Sequence, residues 1–185
     1  MLGNYRGQES DLQLLDSTFK IFLDDRLSRT PPFLMEVPDL TAGTTSNLET
    51  FLPCYAFLLQ FSRSVLGETT SGVNDRGPMR VHTARTVTKD NQYTALLYGK
   101  HTSADTIPTI TVNTMTNLKA GVQIERSVLL TNCQITGILS NGILALYDIY
   151  YDRIDFGYPA RDRTGADTGQ VATGFDYRTW SASGE

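Results

Sequence analysis

The residues able to do chemistry in this chain are few. They are His82 and His101, Cys54 and Cys133, and a run of carboxylates, Asp148, Asp152 and Asp155. General acid–base, thiol or metal chemistry needs such groups to converge on one point. Their spacing does not bring them together. His82 falls on the polar side of an alternating run. His101 follows a short helical stretch, near its C-terminal end, where a cationic side chain is favoured in any case. Both read as structural. Asp148 and Asp152 share one face of a strand but lie about 13 Å apart at strand rise, too far to share a proton. With Arg153 beside them they read as surface ion pairs or subunit contacts. Cys54 and Cys133 sit inside apolar runs without metal-site spacing and read as buried free thiols. The glycines of segment 66–78 lack the adjoining Lys-Ser/Thr of a phosphate loop. No nucleophile elbow and no H-E-x-x-H pair is present. The expectation is a protein with no catalytic set, no cofactor and no metal.

The elements that would position these residues are mostly strands. The stretch from Val122 to Tyr158 holds two long β-type runs around Ser140-Asn141-Gly142, a turn tripeptide ending in Asn-Gly. In the second run Ile143, Ala145, Tyr147, Ile149 and Tyr151 share a face. Leu144 and Leu146, then Asp148, Tyr150 and Asp152, take the other. Such alternation means one face in a core and the other increasingly wet. In the first run Val122, Ile124, Val128 and Leu130 are even-numbered, whereas Cys133 and Ile135 are odd. A one-residue slip would expose the whole apolar set, so a bulge or bend is expected between Leu130 and Cys133.

The chain before this hairpin divides into a helical segment and shorter strands. Leu12, Leu15, Phe19, Phe22 and Leu23 recur at helical spacing, behind the N-cap candidates Ser10 and Asp11. They predict an amphipathic helix over 11–27, packed on its own domain or docked on a neighbouring copy. Pro31-Pro32 ends it. Phe33–Leu40 reads as a strand with Pro38 at an edge or at the end of pairing. Residues 51–65 read as one long strand with Phe51, Tyr55, Phe57, Leu59 and Phe61 on its apolar face and firm pairing after Pro53. Segment 66–78 reads as a long polar loop, a length that is usually functional. Residues 79–87 read as a strand and 90–100 as the single helix after residue 30, with Ala95, Leu96 and Tyr98 inward. Residues 106–115 read as another strand. After Tyr158 the chain turns polar and ends on an aromatic patch, Phe175, Tyr177 and Trp180.

The 185 residues carry a net charge of −4 with scattered arginines. That argues against a nucleic-acid coat, which usually shows a basic arm or patch. No run approaches the ~20 apolar residues of a membrane span. The N-terminus has no basic region followed by an apolar run. The expectation is a protein made in the cytoplasm.

The order of these elements resembles the Hcp family, the tube proteins of type VI secretion systems, which are related to contractile-phage tail tubes. The resemblance is carried by Phe33–Leu40, by Val81-His82 with Val87-Thr88-Lys89, and by Leu96-Leu97-Tyr98. It is carried further by Leu130–Ile135, by Leu146–Ile154 and by the late segment from Asp176 to Trp180. It spans about residues 33–180. It implies a mainly-β fold: a compact barrel of two packed sheets with one short flanking helix, to which this chain adds an N-terminal helical arm. The implied division is a helical extension over 1–32, a tail-tube-like barrel over 33–158, and a polar segment over 159–185 that packs back on the barrel.

The resemblance also implies a structural subunit, not an enzyme. Six copies would form a ring, and rings would stack into a hollow tube that sheath contraction drives outward, with effector cargo in the lumen. The implied partners are further copies of the chain, a contractile sheath, and baseplate or spike proteins, with no nucleic acid unless the tube is that of a phage tail. Assembly would take place in the cytoplasm, followed by export. The loop residues Leu66, Gly67, Glu68, Asn74, Asp75 and Arg76 would stack rings, and Asp148, Tyr150, Asp152 and Arg153 would form a subunit interface. The alternative is a viral capsid or other β-sandwich shell protein, which suits threonine-rich strands and the missing catalytic set.

Overall fold

The computed structural model describes residues 13–14, 16–18, 31–41, 51–65, 76–81, 83–118, 121–161, 167–178 and 181–184. In chain order the elements are β1 (Phe33–Glu36), α1 (Pro38–Thr41), β2 (Leu52–Leu58), β3 (Phe61–Val65), β4 (Arg76–Val81) and β5 (Ala84–Lys89). There follow α2 (Gln92–Ser103), β6 (Ile107–Leu118), β7 (Gly121–Ser140), β8 (Leu144–Tyr150), β9 (Arg153–Arg161), β10 (Asp167–Asp176) and β11 (Ser181–Gly184). One antiparallel sheet runs β11-β10-β9-β7-β6-β1-β2-β5-β8, and β8 pairs back onto β7. That pairing closes β7-β6-β1-β2-β5-β8 into a six-stranded barrel and leaves β9-β10-β11 as a wing. The fold is mainly β, as expected, and the barrel wall is one continuous sheet. Strands β3 and β4 form a separate two-stranded sheet.

The 20-residue strand β7 serves as the hinge between barrel and wing. One edge pairs with β6. The other pairs first with β9 (Leu130 opposite Ile154) and then with β8 (Ile135 opposite Ile149). The expected change of phase is present and is shared. Leu130 and Cys133 are both buried, Ile110 and Ile107 are buried opposite them on β6, and Ile154 and Tyr151 are buried on the returning strand. Three neighbouring strands thus reverse their inward side at one level. The mechanism is not a bulge, since the β6 register passes this level unshifted. Instead Asn132 takes a left-handed conformation at φ 52°, which asparagine tolerates better than most residues.

The expected hairpin turn is present. The Asn141 Oδ1 accepts from the amides of Ile143 (3.0 Å) and Leu144 (2.8 Å), and Gly142 supplies φ 83°. Such side-chain capture of its own backbone is why asparagine and glycine mark turns. Ile143, in phase with the inner face, lies at the turn and is exposed; Ala145, Tyr147, Ile149 and Tyr151 fill the barrel core.

Several element readings change. The long strand 51–65 divides at Leu59–Gln60 into β2 and β3. Leu52 and Cys54 point into the core, and the register shift between Cys54 and Ala56 then brings Phe57 inward. Pairing also runs through Pro53, which faces Leu34 of β1; the ladder to β5 starts only at Cys54. The strand 79–87 is two strands, β4 and β5. Strand β1 stops at Glu36, and Pro38 opens α1, a second short helix. Proline suits the first helical turn because the amide it lacks would be unpaired there. Phe51 and Leu59 lie only partly buried and Phe61 is exposed.

Helix α2 is capped at both ends. The Asn91 side chain accepts from the Tyr93 amide (2.9 Å) while Thr94 Oγ1 accepts from the Asn91 amide (3.2 Å), a reciprocal capping box. Ala104 ends the helix at φ 54°. Its buried face is Tyr93 and Leu97, not Ala95, Leu96 and Tyr98: Leu97 is 1 % exposed and Leu96 49 %. The helix carries apolar residues on both sides, so spacing alone does not choose between them.

Candidate assembly surface

Among the described residues the titratable groups do not converge. The His101 Nδ1–H donates to the Ile135 carbonyl at 2.8 Å and so ties α2 to β7. Placed one further helical turn beyond Tyr93 and Leu97, it extends the buried stripe. The Cys54 thiol donates to the Ala56 carbonyl at 3.0 Å. Both cysteines are free and buried, and burial pushes each thiol up to about 12. They stay protonated and unreactive across the neutral range. Among the described residues no group of three side chains is arranged to hold a metal ion. The His82 side chain lies outside the described residues.

The four expected interface residues lie along the outgoing strand β8–β9 but do not form one cluster. Asp148 faces Arg85 directly across the β5–β8 ladder and accepts from its Nε at 2.9 Å. Both side chains are partly exposed, so the pair contributes about 1 kcal/mol or less. Tyr150, next on that outer side, is exposed. Asp152 sits where the strand changes phase. Its carbonyl accepts from the Tyr177 amide (2.8 Å), and its carboxylate lies 3.6 Å from Arg178 Nη1. Arg153 forks onto Asp155, with Nε and Nη2 each 2.7 Å from a carboxylate oxygen. That hydrogen bonding and the adjacent charge raise the guanidinium pKa further. Of the expected stacking residues, Leu66, Gly67, Glu68, Asn74 and Asp75 lie outside the described residues. Arg76 opens β4, opposite Val65.

The wing carries an apolar surface that sequence reasoning passed over. Tyr158 on β9 is paired with Val171 on β10; they are 43 % and 56 % exposed. Phe61 of β3, 41 % exposed, meets Phe156 edge-to-face at 6.3 Å between centroids. Beyond Thr173 the outer edge of β10, residues 167–172, has no partner strand among the described residues. An exposed apolar patch beside an open strand edge is what a pairing surface looks like. The signal was available in principle, since Val171, Thr173 and Phe175 alternate. Flanking Gly, Thr and Asp residues made the segment read as polar chain.

On the opposite face of the wing a groove of about 230 Å³ is lined by Thr111, Ser127, Leu129, Asp155, Gly157 and Gln170. Its floor is made of small residues, over which the Gln170 and Asp155 side chains lie flat against Gly157 and Gly174. The groove brings no acid–base pair together and its only charge, Asp155, is already engaged by Arg153.

No family model and no curated protein matches this sequence. Solved structures do match it. A type six secretion system protein superposes with a TM-score of 0.70 at 12 % identity, over 82 % of this chain and 98 % of that one. Hcp1 from Salmonella typhimurium gives 0.62 at 10 % identity, over 82 % and 97 %. The secreted protein Hcp3 from Pseudomonas aeruginosa gives 0.53 at 15 % identity, over 80 % and 100 %. The fold of this chain is Hcp-like. No described helix is long and apolar enough to cross a membrane.

Proposed function

We propose that this chain is the repeating subunit of a hollow tube, built from stacked six-membered rings in a contractile injection system. The observation that carries the reading is that nearly the whole length of type VI secretion proteins superposes on this chain despite low identity. The tube passes outward when a sheath contracts, carries cargo in its lumen, and is exported with the particle after assembly in the cytoplasm. Its partners are other copies, the sheath, and baseplate or spike proteins.

A closed ring needs two different, complementary surfaces on every subunit. One is the wing, with the Tyr158–Val171 patch and the open edge of β10. The other is the outgoing strand β8–β9, with Asp148 and Tyr150 on the outer side of the barrel and Asp152 and Arg153 at the step into the wing. Residues Leu66, Gly67, Glu68, Asn74 and Asp75, between β3 and β4, together with Arg76 at the start of β4, contact the next ring.

Negative-stain microscopy of the purified chain tests the reading. Rings with a central hole, or tubes of stacked rings, are expected. Closed spherical shells, or a monomer at every concentration, would overturn it. Replacing residues 66–75 by a short turn should leave rings intact and shorten the stacks. Loss of the rings themselves would remove the stacking role from that segment.

A further inference from the structure

Among the described residues, Arg126 of β7 has no acid to pair with. It sits opposite Thr114 of β6. Two residues along, Val128 faces Phe156 of β9, and the intervening pair Ser127–Gly157 sets Tyr158 beside Arg126 one step further out. Tyr158 in turn faces Val171 of β10. Arg126, Tyr158 and Val171 therefore occupy one side of three adjacent strands, the side that holds the exposed patch. Arg126 is half-buried, and its Nε is buried without a hydrogen-bond partner among the described residues. It forms no ion pair among them either, not even with the adjacent Glu125, which is exposed. A buried N–H is normally matched by an acceptor, and arginine and tyrosine are the residues that most often anchor protein contacts.

The outgoing strand β8–β9 has the converse feature. Of its carboxylates, Asp148 accepts from Arg85 at 2.9 Å and Asp155 from Arg153 at 2.7 Å. Asp152 is held less closely. Its carboxylate is 3.6 Å from Nη1 of Arg178, whose side chain is 68 % exposed. A surface pair of that length is worth little and is readily exchanged. The backbone of Asp152 is fixed all the same: its amide donates to the Thr131 carbonyl at 3.0 Å, and its carbonyl accepts from the Tyr177 amide at 2.8 Å. The carboxylate thus has a rigid mount. Arg126 and Asp152 do not meet within one chain. Asp152 is tied to Thr131, which lies about 17 Å from Arg126 along β7 at strand rise.

We propose that Arg126 anchors the contact between neighbouring copies and receives the Asp152 carboxylate of the adjacent copy. The inference rests on the ring reading. Every copy then gives one carboxylate and receives one, which is the head-to-tail arrangement that a closed ring requires. Tyr158 and Val171 shield the pair from water, and a charge pair in such surroundings is stronger than one on an open surface. The planar guanidinium fork also fixes the direction from which a carboxylate is bound. Opposite charges on the two faces select a second copy over an uncharged apolar partner and set its register.

The test uses the full chain with Arg126→Asp, with Asp152→Arg, with both, and as an equal mixture of the two single variants. Each reversal alone sets like charges against each other at every contact and should lower the ring fraction in sedimentation by about tenfold or more. The double variant restores opposite charges. So does the mixture, in which the two kinds of copy alternate around an even-membered ring. Both should return to within about threefold of the unaltered chain. Arg126→Gln and Asp152→Asn remove charge with little change of shape and keep the test open where a reversal fails to fold; each should lower the ring fraction about three- to tenfold. Full ring formation by either single variant would overturn the pairing while the ring reading stands. Loss of rings that neither the double variant nor the mixture restores would overturn it as well. If the unaltered chain forms no rings, the ring reading fails and this contact fails with it.

Discussion

The Thr131 carbonyl accepts a hydrogen bond from the Asp152 amide at 3.0 Å, at the level where both strands reverse the face they bury. On the β7 side the reversal lies at Asn132. On the returning side it falls between Tyr151 and Ile154, three residues apart and both buried in the same core. The bond keeps the two strands joined where neither has regular strand geometry. One bent hairpin thereby supplies both barrel wall and wing.

Asn132 is exposed, so its replacement tests conformation apart from burial. Asn132→Val should destabilise the chain by about 1–2 kcal/mol, because a β-branched residue resists the left-handed region. Asn132→Gly should be close to neutral. Urea unfolding followed by circular dichroism measures both. Equal effects of Val and Gly would mean that the backbone angle at Asn132 is not what shapes the bend.

Alkali should weaken the fold through its thiols. Cys54 and Cys133 are held at about 12 in the folded chain, against an ordinary 9.0. The folded state therefore binds the protons more tightly. The stabilisation is complete below pH 9 and is lost as pH rises from 9 towards 12, at up to about 1.4 kcal/mol per pH unit for each thiol. Buried Tyr151, whose hydroxyl is also pushed up by burial, adds to the slope. Stability curves at pH 8, 10 and 11 would show it, and Cys133→Ala should flatten the decline.

The two sides of α2 should respond very differently. Leu97→Ala removes a fully buried side chain and should cost about 2–5 kcal/mol. Leu96→Ala should stay within about 0.5 kcal/mol, as for other surface changes. Thermal melts of the two variants decide between the observed face and the one spacing suggested.

Gly174 gives the Arg153–Asp155 pair its room. A Cβ there would lie 2.9 Å from Asp155 Cγ and 3.0 Å from the Ile154 carbonyl oxygen. Gly174→Ala should push the carboxylate off Arg153 and cost about 1–3 kcal/mol, as overpacking does. Adding Asp155→Ser should recover much of that loss. A double variant as unstable as the single one would place the clash at the backbone.

Val171 separates assembly from folding. Val171→Asp puts a charge into the wing patch at a position already largely exposed. The melting temperature should change by only a few degrees, while the ring fraction in sedimentation or microscopy falls at least tenfold. Undiminished rings would move the interface away from the wing.

Parts of this molecule were legible from the residues in order. Period-2 runs around Asn141-Gly142 predicted the hairpin, and the even-to-odd switch at Leu130–Cys133 predicted its bend. Side chains alternate in strands whatever the partner, so these patterns need no tertiary knowledge. The titratable groups likewise read as structural, and His101 and the two cysteines hold structural places. Spacing did not find the wing patch, because Tyr158 and Val171 become neighbours only when β9 and β10 pair. It did not find the apolar row on the outside of the barrel either: Leu139, Leu146, Val87 and Ala56 come from four strands.

The sequence by itself determined the hairpin around Asn141-Gly142, its change of phase at Leu130–Cys133 and the alternation of its sides, since those follow from local backbone geometry and side-chain spacing; it did not determine where the strands before it break or that the chain after Tyr158 adds strands. Only the tertiary structure decided which of two apolar sides faces the core. Leu144 and Leu146 lie as deep as Ala145 and Tyr147, but on the opposite side of the wall. Closure of β8 onto β7 makes that choice, and a long-range pairing of this kind is a property of the whole sheet, not of any segment within it.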